Sequence, residues 1–298
     1  MARRSEVETN TNRHSLTARG AVVASRRAMA FDRAGRDGDT RDGRRASSSK
    51  APSSKASFTV VIPALNEETR VREAIASARA NASARVIVVD GGSTDATVRV
   101  ARKHGASVVR SERGRGRQMN AGAAAAAAMG TRDASDVLVF LHADSTLPSG
   151  YGEIITRAFA KRVIGRSREW GAFEFRMGGA REDEGFARTC TRRAIEFGTN
   201  TRCRLFGMPY GDQAFVMRRE TFDSVGGFDE LPFMEDYIMA RKLRRRGAPA
   251  LFRAAVTTSG RRWDERGFSK VTLMNQVIIL GYHIGVPMEK LAEWYKKT

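Results

Sequence analysis

From Phe58 to Leu141 the chain alternates short β-branched runs with longer helical stretches, and this constrains the fold more than any other feature. Phe58-Thr-Val-Val-Ile62 reads as a buried strand closed by Pro63. Asn66-Glu67-Glu68 then reads as a helix start, with Asn66 as cap and the acids in the first turn. That helix is expected to run to about Ala80. Arg85 to Val89 is a second strand, and Thr94-Asp95 opens a second helix to about His104. Ser107 to Val109 is a short third strand, Gln118 to Met129 an Ala-rich helix, and Val137 to Leu141 a fourth strand. Such alternation predicts an α/β fold with a mostly parallel central sheet flanked by helices. Ligands bind such sheets where the strands' C-terminal ends open into loops.

The unusual polar groups lie at those predicted ends. Asp90-Gly-Gly-Ser-Thr-Asp95 follows the second strand. Its glycines allow close backbone approach, and its carboxylate suits a base or ribose; a tight capped turn is the plainer reading. His142-Ala-Asp144 follows the fourth strand. A carboxylate there suits Mg²⁺ or Mn²⁺ against a diphosphate, because hard cations prefer oxygen. His142 is either a second ligand or a loop hydrogen-bonder. Gly114-Arg-Gly-Arg-Gln-Met-Asn120 reads as a diphosphate cradle or a solvated basic loop. Glu235-Asp236 opens a predicted helix and serves as dipole partners or, at Asp236, as a general base. Ser259-Gly-Arg-Arg-Trp263 sets guanidiniums beside an aromatic wall.

Beyond Asp144, Gly171 to Arg176 alternates as a half-exposed strand and Phe215 to Met217 forms another. Met234 to Arg246 is a helix, and Ser269 to Thr298 supplies one or two more. No internal repeat is present. Val271 to Val286, the most apolar stretch, is interrupted by Asn275, Gln276 and His283 and falls short of the ~18 residues of a membrane span. Cys190 and Cys203 lack the spacing of a zinc site or a disulfide framework, so two free thiols are expected.

Charge divides the chain. Residues 1–57 hold 13 Lys or Arg against 6 Asp or Glu, and the whole carries a formal +19. The segment has no apolar period, so it is expected to be a disordered basic extension. Its Arg- and Ser-rich composition equally suits a plastid or mitochondrial transit peptide, against which its acids count; a cytoplasmic location is the alternative. A surface this basic attracts nucleotides, phosphorylated substrates, acidic lipids and nucleic acid, and charge alone does not choose among them.

Taken in order, "VVIPALNEE", "VIVVDGGSTDAT", "GRGRQMNAGA", "LVFLHADS", "GDQAFVMRRETFDSVGGFDELPFMED" and "SGRRW" resemble glycosyltransferase family 2. The nearest likeness is the branch described as radical-SAM/selenodomain-associated transferases. It covers residues 58–298. The resemblance implies a GT-A, Rossmann-like fold and a nucleoside-diphosphate sugar donor, a UDP-sugar. It also implies inversion at the anomeric carbon and a Mn²⁺ or Mg²⁺ cofactor. Pro63, Asn66, Glu67, Asp90, Gly91, Ser93, Arg117, Asn120 and Arg262 would bind the nucleotide-sugar. Asp144, with His142 in place of the family's first acid, would hold the metal. Asp236 would be the catalytic base, and Tyr210, Asp212, Gln213 and Glu235 would lie near the acceptor, a small molecule, lipid or glycan. Arg262-Trp263 resembles the end of the QxxRW motif of processive synthases, but Ser259 replaces Gln and no membrane helices follow. Peripheral membrane contact fits this picture and specific nucleic-acid binding does not. The alternatives are a nucleotidyltransferase-like enzyme on the same fold and a non-catalytic anion- or nucleic-acid-binding protein.

Overall fold

The computed structural model describes residues 57–130, 136–163, 166–179 and 185–296, without the side chains of 162, 163, 166 and 167. The expected N-terminal extension lies almost wholly outside these residues. No helix among them is long and apolar enough to cross a membrane.

The first half follows the sequence pattern. Its elements are β1 (Phe58–Ala64), α1 (Val71–Arg79), β2 (Ala84–Asp90), α2 (Thr97–Lys103), β3 (Ser107–Arg110), α3 (Arg115–Ala128) and β4 (Val137–Phe140). The second half comprises β5 (Ser145–Thr146), α4 (Tyr151–Ala160), β6 (Arg162–Val163), β7 (Arg166–Ser167), β8 (Trp170–Gly178) and α5 (Phe186–Phe206). A 3₁₀ turn at Gly211–Gln213 then leads to β9 (Phe215–Arg218), α6 (Arg219–Ser224), α7 (Glu235–Arg246) and β10 (Ala250–Ser259). Last come α8 (Arg261–Arg266), α9 (Phe268–His283) and α10 (Met288–Lys296).

Eight strands form one sheet in the order β3-β2-β1-β4-β9-β8-β10-β5, and β6 and β7 form a separate ribbon. The sheet is mixed. β3, β2, β1 and β4 run parallel, as do β8 and β10, but β9 is antiparallel to both its neighbours. Because β9 reverses direction between β4 and β8, the C-terminal ends of β1, β2, β4, β8 and β10 all reach the same edge.

Alternation along each central strand sorts side chains onto two covered faces. Val60, Ile62, Val86, Val88 and Val139 pack toward α1 and α4, against Ile75, Tyr151 and Ile155. Val61, Ile87, Val89, Leu138 and Phe140 face α3 and α7, against Met119, Ala123, Met239 and Leu243. Burying side chains of this size contributes about 1.5–3 kcal/mol each before chain entropy is subtracted. The Ala-rich helix is small-sided for a reason. A Cβ on Gly122 would sit 2.3 Å from Val61 Cγ1, so the backbone of α3 packs directly on the Val61 and Val89 side chains. A third cluster, Phe233, Met234, Tyr237, Ile278 and Leu291, fastens α9 and α10 to α7.

Three local expectations differ. Asn66 does not cap α1, which starts five residues later. It adopts a left-handed backbone (φ 55°), which Asn tolerates, and its Oδ1 accepts from Thr94 N at 2.9 Å. The Gly114–Asn120 stretch is not a free loop, because α3 already begins at Arg115. Finally, α4, α5 and β10 were not expected as elements at all.

Candidate active site

A cavity of about 700 Å³ opens at the edge where the parallel strands end. Among its walls are His142, Asp144, Asp212, Asp236, Arg115, Arg261, Arg262 and Trp263. Their chain positions span more than a hundred residues, and local geometry explains how each is aimed inward.

His142 and Asp144 follow β4 directly. Ser145 pairs with Thr258 across the β5–β10 ladder, and Ser259 N donates to Asp144 O at 3.1 Å. Thr258, itself buried, ties three segments together: its hydroxyl bonds Ser145 Oγ at 2.9 Å and donates to Asp212 O at 2.9 Å. Asp236 sits in the first turn of α7, just after Met234, which holds a left-handed backbone (φ 62°). Such a conformation costs about 1–3 kcal/mol in a non-glycine residue and is kept only where the surroundings enforce it. Here it turns Glu235 into an ion pair with Arg115 at 2.8 Å and leaves Asp236 facing the cavity. Asp236 Oδ2 accepts from Gly211 N at 2.9 Å. Gly211 has no room for a side chain: a Cβ would lie 2.8 Å from His142 Nε2 and 3.3 Å from Asp236 Cβ. The glycine thus brings the β4 end, the 3₁₀ turn and the α7 start into van der Waals contact.

Electrostatics confirm the crowding. Burial pushes the Asp212 carboxyl up to about 6, with Asp236 and Asp144 adding to the rise and Arg202 opposing it. Burial, followed by the Arg115 guanidinium, holds the His142 imidazole below its ordinary value, against the pull of Asp144 and Asp236. Burial also raises Glu67, which feels Asp144 despite its ion pair to Arg261 at 3.2 Å. Several polar atoms in the walls lack a hydrogen-bond partner: Asp212 Oδ1, Arg262 Nη2 and Trp263 Nε1. Unpaired buried polar atoms cost about 1–3 kcal/mol each, so these positions just behind the cavity surface carry unmet hydrogen-bonding capacity.

The expected site residues divide. His142, Asp144, Tyr210, Asp212, Asp236 and Arg262 line the cavity. Gln213 is buried behind it, donating to Phe173 O at 3.0 Å. Glu235 is buried and holds Arg115. Asp90, which the sequence placed in the same cleft, does not line this cavity; it is buried at the end of β2 and accepts from Ser93 N at 3.0 Å. Asn66 joins that neighbourhood through its N–H to Ser93 Oγ at 3.0 Å, and Glu67 links it to the cavity through Arg261. Pro63 is buried in β1, and Gly91 lies against Gln118. Of the two arginines in the expected cradle, Arg115 lines the cavity, whereas Arg117 pairs with Glu112 and Glu230 on the exposed side. Asn120 grips Phe228, donating to its O and accepting from its N, both at 2.9 Å. Sequence reasoning missed Thr258 and Gln118. The Gln118 amide donates to Ala64 O and Val89 O, splicing the ends of β1 and β2.

Residues 59–226 match the model of the Glycosyl transferase family 2. The chain belongs to glycosyltransferase family 2. The family match agrees with the glycosyltransferase reading rather than with the nucleotidyltransferase-like or non-catalytic alternatives. The matched segment of this glycosyltransferase ends before Asp236, so the wall built by α7 to α10 lies beyond it. The fold is similar to that of TarS residues 1–349 from S. aureus. The TM-score is 0.50 at 15% identity, covering 75% of this chain and 64% of that one. It is also similar to glucosyl-3-phosphoglycerate synthase from Mycobacterium tuberculosis, solved with Mn²⁺, UDP-glucose and phosphoglyceric acid. There the TM-score is 0.50 at 21% identity, covering 78% of this chain and 81% of that one. These likenesses are of fold. This glycosyltransferase thus spans less than two thirds of the TarS structure. No curated protein matches it.

Proposed function

We propose that this chain transfers a sugar from a nucleoside-diphosphate sugar, a UDP-sugar, to an acceptor hydroxyl with inversion at the anomeric carbon. The observation that carries the reading is the placement of Asp236. Its carboxylate faces the cavity that His142 and Asp144 line, and Gly211 N holds one of its oxygens. A carboxylate held at both oxygens, Oδ2 by Gly211 N and Oδ1 by Tyr237 N at 2.7 Å, and lining the cavity, suits a base that takes the acceptor's proton. Arg115 and Arg262, on the same walls, suit the charge of a departing diphosphate.

The synthase from M. tuberculosis was crystallised with Mn²⁺ and UDP-glucose, and the proposal carries that metal and donor class over to this chain. Among the described residues no three His, Cys, Asp or Glu side chains form a metal cage by themselves. A hard cation at a diphosphate is commonly held by one or two protein carboxylates with the rest supplied by phosphate oxygens and water. Asp144 and the His142 imidazole, held neutral by its surroundings, are the residues that would hold Mn²⁺ or Mg²⁺; Asp212 Oδ1 is an unpartnered oxygen on the same wall. Such an ion, when bound, would offset negative charge on the diphosphate. Asp90, Asn66 and Ser93 form a linked group at the ends of β1 and β2, which suits the nucleoside. The radical-SAM-associated branch remains the family position that the motif wording supports.

The test is turnover with UDP-, GDP- and dTDP-sugars and Mn²⁺, read as nucleoside diphosphate released in the presence of candidate acceptors. Asp236→Asn is expected to slow release by ~10²- to 10⁴-fold while donor affinity stays unchanged. Normal turnover by that variant would remove Asp236 from its role.

A further inference from the structure

Tyr295, near the end of α10, reaches back into the cavity that Arg115 and Arg262 also line. Its hydroxyl accepts from Arg262 Nη1, and the same guanidinium lies over its ring, with the central carbon 4.1 Å from the ring centroid. Arg115, ion-paired with Glu235 at 2.8 Å, also hydrogen-bonds the Tyr295 side chain. The ring is itself held in place. It stacks on Phe233 with centroids 5.2 Å apart and planes at 28°. One turn earlier, Leu291 is buried so close to α9 that a Cβ on Gly281 would lie 2.7 Å from its Cδ2. Tyr295 lies outside residues 59–226, the part that the family model matches, so its role has to be read from these contacts.

Two guanidiniums facing one cavity repel each other, and each sits on a flexible stem that costs about 2 kcal/mol of rotamer entropy to fix. A carboxylate between them would hold them but would offset their charge and repel an anionic ligand. A phenol oxygen accepts hydrogen bonds from cations without carrying a charge at neutral pH. It orients both arginines and leaves their charge available to the ligand. Arg262 Nη2, buried and without a partner, is the donor that this arrangement leaves over. We propose that Tyr295 is a positioning residue, whose hydroxyl sets Arg115 and Arg262 for the departing diphosphate. The role rests on the transfer reading, which gives those two arginines to the diphosphate.

Tyr295→Phe keeps the ring and its stack on Phe233 and removes only the oxygen. Calorimetric titration of the full chain with UDP and with uridine, both in Mn²⁺, reads the effect. UDP should bind the variant about tenfold more weakly, while uridine binding and melting temperature stay as in the parent. In turnover with the donor, kcat should fall by roughly tenfold or more. Arg262→Ala should weaken UDP binding as well, and the double variant should lose less than the sum of the two single losses, because the tyrosine acts through the arginine. UDP binding and kcat unchanged in Tyr295→Phe, or strictly additive losses, would overturn the proposal and leave the transfer reading standing. Equal weakening of UDP and uridine would overturn it too, since it would mark a general loosening of the site. A parent that binds no UDP would remove the UDP-sugar reading and this role with it.

Discussion

Asp212 keeps one carboxylate oxygen without a hydrogen-bond partner in the wall of the cavity, with its pKa pushed up to about 6 chiefly by burial. In the unfolded chain the same carboxyl titrates near ~3.9. Folding therefore favours its protonated form. Below the unfolded value that preference is fully met. As pH rises through about 6 it is lost. In neutral solution the ionised group then costs up to about 3 kcal/mol. Replacing Asp212 with Asn should raise the melting temperature of the metal-free protein at pH 8 and change it little at pH 4. Thermal melts in chelator at the two pH values check this, and equal shifts would show that Asp212 is not electrostatically strained. In the sequence only the family resemblance singles out Asp212; by themselves Tyr210-Gly-Asp-Gln213 read as a polar turn, and nothing there foretells the burial of the carboxyl. The same blindness hid Thr258 and Gln118, whose importance comes from bonds to segments 113 and 54 residues away. His142, Asp144 and Asp236 were legible because unusual polar residues next to apolar strands or helix starts stand out locally. Asp90 was legible too, but its burial behind Ser93 was not.

Among the elements, the strands from β1 to β4 were readable because each is one unbroken β-branched run covered on both faces. β10, Ala250–Ser259, was not: residues 250, 252, 256 and 258 are buried in alternation, but Leu251 and Ala255 on the other face blur that period in the sequence. β9 was found, but its reversed direction depends on pairing with β4, which no local pattern encodes. α5 escaped notice because its surface is neither regularly polar nor regularly apolar. The join between elements is where stability is concentrated. Asn120 on α3 satisfies both backbone groups of buried Phe228, at the start of the segment that leads to Asp236. Asn120→Ala should lose about 2–4 kcal/mol of unfolding free energy in urea titration, because two buried groups are left unpaired. Amide exchange should quicken across residues 228–234 before it does in the central strands. An unchanged exchange pattern would mean that other contacts fix this segment.

For the whole molecule, the walls of the cavity come from Arg115 to Lys296, and the Asn66–Asp90 group is tied to them by the Glu67–Arg261 pair, so a ligand that touches both should knit them together. A UDP-sugar with Mn²⁺ at 100 times its dissociation constant is expected to stabilise the protein by ~2.7 kcal/mol. Exchange protection should appear in two separated stretches, around Asn66–Asp95 and around Arg261–Lys296. Protection confined to the first stretch would place the donor away from the cavity. The overall α/β arrangement was legible from the alternation of elements. The closing of the cavity by the last three helices was not, because Phe233, Ile278 and Leu291 read separately as ordinary apolar residues and meet only in the folded chain.

The pairing of Glu67 with Arg261 joins residues 194 positions apart, and Tyr295 stands in the same wall. On the ribosome the chain emerges from its beginning. The early strands can therefore assemble while the site is still missing its far side. The pocket acquires its far wall only once α10 has been made, so a nascent chain stalled before that helix would have its first half folded and its ligand cavity open.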